Sequence, residues 1–319
     1  MTVASFVSSN VIRAMCSRAV SDMFKSEAPQ YRALTKLVAN INRQTLLEKP
    51  ELEKQLRETG ELGGLDIERH CAIRLGTAEE LSTVRRLFAV IGMAPVGYYD
   101  LSAAGIPVHS TAFRPTTNEA LRQNPFRVFT SLIRLELIDD AELRREASNI
   151  LARCNIVSPR CLALLDAFEE KGGLDDEEAR AFVSEAIETF RWHGEAIVSA
   201  ETYRKLHAAH PLIADVVCFR GPHINHLALR TLDIDAAQFA MNTHEMNPKA
   251  TVEGPPRRDC AILLRQTSFK AIEEPIVFEE ANGHRSHGVH SARFGEIEQR
   301  GIALTAKGRA LYDRLLIRS

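Results

Sequence analysis

The stretch Ile67-Glu68-Arg69-His70-Cys71-Ala72-Ile73-Arg74-Leu75 returns later in the chain as Ile224-Asn225-His226-Leu227-Ala228-Leu229-Arg230, with His-x-Ala-aliphatic-Arg in common. Each copy reads as a short β-strand, and each precedes a helix-like stretch, Thr77 to Ile91 and Asp233 to Asn242. Internal repetition decides architecture before any single element does. Successive side chains of a strand point to opposite faces, so His70, Ala72 and Arg74 share one face while Cys71, Ile73 and Leu75 share the other. His70 and His226 are therefore equivalently placed. A second echo, Pro107-Val108-His109-Ser110-Thr111-Ala112-Phe113 against Gly288-Val289-His290-Ser291-Ala292-Arg293-Phe294, is expected to close the two modules in the same way.

Outward from the repeat, the expected architecture is α+β. A duplicated βαβββ-type half-barrel carries a helical N-terminus and a large helical insertion. Residues 1–64 read as helices, 65–115 as module one, 116–219 as the helical insert, 220–305 as module two and 306–319 as a closing helix, all in one catalytic domain. Thr77 followed by Glu80 predicts a capping box at the first module's helix. From Asn118 to Phe219 the pattern predicts helices, including one from Phe126 through Leu137. The closing strand is expected from Ala292 to Leu304, after a loop from Glu280 to His287.

The chain has 319 residues, 45% apolar and 26% charged, with a net charge of -2. That is the profile of a globular protein with an ample core, and it lacks the basic excess of a nucleic-acid binder. No apolar run reaches the roughly 18 to 20 residues of a membrane span. Six cysteines, Cys16, Cys71, Cys154, Cys161, Cys218 and Cys260, form no Cys-x-x-Cys pair, so reduced thiols and a cytoplasmic location are expected. Nothing in the sequence specifies an oligomeric state.

Strands paired in a half-barrel bring two equivalent histidines to one cavity. Two histidines and a carboxylate form the facial triad suited to non-haem Fe(II), with three positions left open. The closing strand offers Glu296 and Glu298 on the same face, and periodicity does not choose between them. His223, three residues from His226, is expected on the opposite face. His284, His287 and His290 read as loop histidines without a metal, since His290 lies about 20 Å along a strand from Glu296 at roughly 3.3 Å per residue.

Phe294-Gly295-Glu296-Ile297-Glu298-Gln299-Arg300 is similar to the Phe-x-Glu-aliphatic-x-Gln-Arg signature of the 4-hydroxyphenylpyruvate dioxygenase family, whose metal glutamate is the first in the motif. The whole chain more closely resembles the 2-oxoadipate dioxygenase/decarboxylase (2-hydroxyglutarate synthase) family. Arg69 through Arg74, Pro107 through Pro115, His223 through Leu227, Arg265 through Ala271 and Arg293 through Gly301 carry that resemblance. It implies a vicinal-oxygen-chelate-like fold, His70, His226 and Glu296 as Fe(II) ligands, and Arg74 as the clamp on the substrate's distal carboxylate. It also implies conversion of 2-oxoadipate and O2 to 2-hydroxyglutarate and CO2, as in lysine catabolism. Bacterial members continue beyond the helix matched by Ala310-Leu311-Tyr312-Asp313, whereas this sequence ends at Ser319, so any pocket wall drawn from that region lies outside the resemblance.

The bare residues fit that reading. Arg74 stands about 13 Å from His70 along one strand face, a span suited to a five-to-six-carbon diacid anchored at a metal. Arg230 has the same relation to His226 and reads as a structural ion pair; Gln266 is a candidate donor to substrate. Two other classes remain as expectations to test: a Zn2+, Ni2+ or Mn2+ lyase or isomerase on the same fold, and a non-catalytic binding module.

Overall fold

The computed structural model describes residues 6–258, 260–280 and 283–317. Ala281 and Asn282 of the expected loop lie outside the described residues. In chain order the elements are α1 (Ser9–Glu27), α2 (Pro29–Glu48), α3 (Pro50–Glu58), β1 (His70–Leu75), α4 (Ala78–Val90), β2 (Ala94–Asp100), β3 (Val108–Arg114), α5 (Asn118–Gln123) and β4 (Arg127–Ile133). Then follow α6 (Ala141–Leu151), α7 (Pro159–Lys171), α8 (Asp176–Thr189), α9 (Ala200–Ala209), α10 (Pro211–Val217), β5 (Ile224–Arg230) and α11 (Ile234–Thr243). The chain closes with β6 (Leu264–Ser268), β7 (Glu273–Glu279), β8 (Arg285–Ser291), β9 (Phe294–Arg300) and α12 (Ala306–Leu316). Among the described residues, no helix is long and apolar enough to cross a membrane.

Seven strands form one curled sheet in the order β2-β3-β4-β1-β5-β9-β6. The duplication is visible in its pairing. β1 runs parallel to β4, which is antiparallel to β3; β5 runs parallel to β9, which is antiparallel to β6. β1 and β5 meet antiparallel at the centre, so the two copies of the repeat lie head to tail. The expected capping box is present, with the Thr77 hydroxyl accepting from Glu80 N at 3.1 Å and Glu80 accepting from Thr77 N at 3.3 Å.

The structure corrects three expectations. Residues 127–133 form strand β4 and not a helix, because Val128 and Thr130 bury on one side while Phe129 and Ser131 alternate to the other. Both sides are partly covered, which masks the period-two pattern. The second echo is not a structural repeat: His109 sits on β3 of the main sheet, whereas His290 sits on β8, paired with β7 in a separate hairpin. β6 is the counterpart of β3. His287 and His290 accordingly lie on a strand and not in a loop.

The core lies against one side of the sheet. Cys71, Ile73 and Leu75 of β1, Ile224, Leu227 and Leu229 of β5, and Ile297 of β9 pack under Phe24, Leu34, Phe88 and Phe182 from α1, α2, α4 and α8. Burying such side chains contributes about 1.5–3 kcal/mol each. The opposite side is left for chemistry. Part of it is filled at one end by α6, α9, α10 and the β7–β8 hairpin, through Val108, Ile133, Leu206, Ile213 and Ile276.

Candidate metal centre

β1, β5 and β9 are consecutive neighbours in the sheet, and their side chains meet on the face opposite the core helices, where His70 and Glu296 are buried. Donor atoms of His70, His226 and Glu296 all lie within 4.8 Å of one another. His70 Nε2 is 3.1 Å from Glu296 Oε1, and the two imidazole centroids are 5.3 Å apart with the rings perpendicular. Phe129 meets the His70 ring edge-on at 5.1 Å, and Phe294 stacks on His226 at 4.8 Å. These aromatic walls restrict water on two sides of the triad.

Geometry separates Glu296 from Glu298. Glu296 stands beside Ala228 in the parallel ladder, and Glu298 stands one pleat further, beside Arg230. Glu298 Oε2 sits 3.4 Å from His70 Nδ1, while its Oε1 accepts from Arg300 Nε at 2.5 Å. A carboxylate on the far nitrogen fixes the tautomer and orientation of a ligating imidazole. His70 Nε2 is thereby turned toward the triad.

Electrostatics reinforce this assignment of roles. Burial lowers the His226 pKa to about 4, so the ring is neutral and able to ligate at neutral pH. For His70 burial acts downward too, but the hydrogen bonds from Glu296 and Glu298 outweigh it and the pKa rises above 6.5. Burial would raise Glu298, yet His70 and Arg300 bring it down to about 2. Glu296 is lowered as well, its burial overcome by His70 and His226. An ionised carboxylate, a neutral imidazole and a second imidazole steered by its own carboxylate match a divalent transition metal in number and donor type.

Four residues from His70, Arg74 Nη1 meets Asp215 Oδ2 of α10 at 2.5 Å. Asp215 is also approached at Oδ1 by His290 Nε2 at 2.8 Å and His223 Nε2 at 3.2 Å, and at Oδ2 by Asn225 Nδ2 at 3.1 Å. The Tyr203 hydroxyl hydrogen-bonds with His290 Nδ1 at 3.0 Å, and Trp192 stacks on the His290 ring at 5.9 Å. Burial alone would raise the Asp215 carboxyl, but His223 and Arg74 with these hydrogen bonds hold it well below the usual carboxylate range. Sequence reading missed this hub. The available signal was one acid inside the apolar run Ile213-Ala214-Asp215-Val216-Val217, since an unpaired buried charge is costly.

His223 requires a further correction. Ala72 pairs with His226 but Ile73 pairs with Ile224, so Asn225 is an extra residue in β5. Such a bulge sets two residues against one and shifts the alternation. Ile224 therefore joins Leu227 and Leu229 on the core side, and His223 turns to the face that carries His226 and Arg74. Its contact is Asp215 and not the triad. Gln266, the candidate donor to substrate, is engaged with Glu253 through Nε2 at 3.1 Å. Arg230 pairs with Glu61 at 2.6 Å, the ion pair expected of it.

Comparison with known proteins gives consistent findings. The family described as 2-oxoadipate dioxygenase/decarboxylase matches residues 16–319. A relative of that description from Pseudomonas putida is 58% identical over 316 residues, covering 99% of this chain and 68% of the relative. One from Escherichia coli is 55% identical, covering 98% and 69%. The crystal structure of the hydroxyglutarate synthase from Pseudomonas putida in complex with 2-oxoadipate superposes with a TM-score of 0.93 at 57% identity, covering 99% of this chain and 70% of that one. A glyoxalase-superfamily protein from Ralstonia eutropha shares the fold alone, with a TM-score of 0.61 at 19% identity over 84% of this chain and 83% of that one.

Proposed function

This chain belongs to the 2-oxoadipate dioxygenase/decarboxylase family, and from that premise we propose that it is a non-haem Fe(II) enzyme converting 2-oxoadipate and O2 to 2-hydroxyglutarate and CO2. His70, His226 and Glu296 are its iron ligands, and Arg74 is its substrate clamp. The observation that carries the proposal is the convergence of the three donor atoms on one point of the sheet face opposite the core helices. Both oxygen atoms of O2 enter the product, one in the new carboxylate and one in the new hydroxyl. The carbon lost as CO2 is the former 2-oxo carboxylate. Iron, when bound by these three residues, would supply the redox chemistry for the reaction of O2 with the 2-oxo acid.

The side chains prepare that chemistry. Glu298 holds His70 in one orientation through Nδ1. Phe129 and Phe294 flank the histidines and keep bulk water from the reacting carbons. Arg74 commits Nη1 to Asp215, which leaves the other edge of its planar guanidinium for the distal carboxylate. A guanidinium stays charged and binds carboxylate bidentately, so it fixes both the position and the orientation of a diacid. Asp215 keeps that side chain from swinging away, with His290 and Asn225 holding the carboxylate in turn.

Anaerobic reconstitution with Fe(II), followed by 2-oxoadipate and then O2, tests the reading. The expected result is one O2 consumed for each 2-hydroxyglutarate and CO2 formed. Turnover without O2 would replace it with the lyase or isomerase reading.

A further inference from the structure

Beside the turn after α3 lies a cavity of about 400 Å3 whose lining includes Arg69, Arg122, Arg127 and Arg300. Glu61 is the one carboxylate among its described lining residues, and it is already paired with Arg230 at 2.6 Å. Arg300 gives its Nε to Glu298 at 2.5 Å. Arg69 is only 6% exposed, and the Nε groups of Arg69 and Arg127 are buried with no hydrogen-bond partner. Buried donors and buried charge without partners are costly, which makes this collection of cations incomplete on its own. Burial, with Arg300 nearby, lowers the Arg127 guanidinium to about 10 against the opposing pull of Glu298.

We propose that this cavity binds a small organic dianion, held through its carboxylate or phosphate groups by Arg69, Arg127 and Arg300, at a site separate from the metal triad. A forked guanidinium pairs bidentately with either group. The volume falls in the range of about 300–1,000 Å3 typical of sites for small organic ligands, which exceeds the need of a lone inorganic ion. Neither the triad residues nor Arg74 line the cavity. Arg69 and Arg74 flank His70 on opposite sides along the chain, so one extended diacid anchored at the metal reaches Arg74 by leading away from this end. The charge also contrasts with the Arg74 end, where Asp215 already supplies the anion.

Isothermal calorimetry of the full chain at low ionic strength, with inorganic phosphate and with glutarate as probes, tests the site. The expected result is saturable binding of at least one probe that is retained in Arg74→Gln, where the substrate clamp is absent. Phosphate alone would identify a phosphorylated ligand and glutarate alone a carboxylate ligand. Arg127→Gln is expected to weaken binding at least about tenfold, by loss of one charge-assisted pair, while Arg74→Gln leaves it unchanged. Arg122→Gln, at an exposed position with no folding role, is expected to weaken binding about threefold and decides the matter if the Arg127 variant does not fold. Absence of binding by both probes, binding that survives the arginine variants, or binding lost in Arg74→Gln would overturn the proposal.

Discussion

The two copies of the His-x-Ala-aliphatic-Arg phrase deliver their histidines to one point and their arginines to opposite ends of the groove. Because β1 and β5 run antiparallel, Arg74 emerges beside α10 and Arg230 beside the turn after α3. At the first end a buried aspartate gathers Arg74, His223, Asn225 and His290. At the second, Arg230 meets the half-exposed Glu61, and further arginines stand nearby. Duplication thus produced one point where donor atoms converge and two unlike flanks. Equivalence holds where the two imidazoles meet and lapses where each copy meets its own neighbours.

The strongest test of the shared position is His226→Ala beside His70→Ala. Both are expected to reduce bound iron and activity to background, measured by metal analysis and O2 uptake. A variant that keeps full iron would break the twofold symmetry of the centre. Next, Glu298→Gln is expected to cost about 10–100-fold in metal affinity, the usual effect of removing the partner of a ligating imidazole. Arg74→Ala is expected to raise KM by about 10–100-fold, the scale of one charge-assisted contact, and to uncouple O2 consumption from product. In the same assay Arg230→Ala should leave KM unchanged and lower stability by no more than about 1 kcal/mol, as a partly exposed pair does. If Arg230→Ala raises KM instead, the flanks have been assigned the wrong way round.

Two smaller effects sharpen the picture. Gly295 lies between Phe294 and Glu296, and a Cβ there would fall 2.6 Å from Phe269, 2.8 Å from Leu34 and 2.8 Å from Tyr31. All three neighbours are fully buried, so Gly295→Ala is expected to destabilise by about 1–3 kcal/mol in chemical denaturation. The N-terminal helix α2 therefore sets the depth of β9. Protons give the last test. The ion needs His70 unprotonated, and in the free protein its pKa is raised above 6.5. Metal affinity should fall as pH drops through that raised value, by up to about tenfold per unit for one competing proton. Affinity that stays flat down to pH 6 would remove His70 from the ligand set.

Much of this arrangement was legible from the chain alone. The repeated phrase fixed the equivalence of His70 and His226, and Thr77 with Glu80 marked the start of α4 because a capping box is a local interaction. Glu296 and Glu298 were inseparable by periodicity, since both alternate to one face; the resemblance implies Glu296, and it is Glu296 whose carboxylate lies within reach of both histidines, while Glu298 meets His70 at Nδ1. β4 was hidden because strands covered on both faces lose the alternation that identifies them. His223 was misplaced because counting residues assumes an unbroken pleat, and the extra residue at Asn225 breaks it. The Asp215 hub joins helix α10 to three separate strands, and no local pattern encodes such a meeting.

The bulge at Asn225 also bears on how this segment tolerates change over evolutionary time. Removing Asn225 would restore a regular ladder and leave Ile224 in the helix-covered layer and His223 on the opposite side, at the loss of the amide that meets Asp215. Removing Ile224 instead would turn Asn225 into the helix-covered layer, where its amide has no partner. Of the two one-residue deletions, descendants of this sequence should therefore tolerate loss of Asn225 better than loss of Ile224.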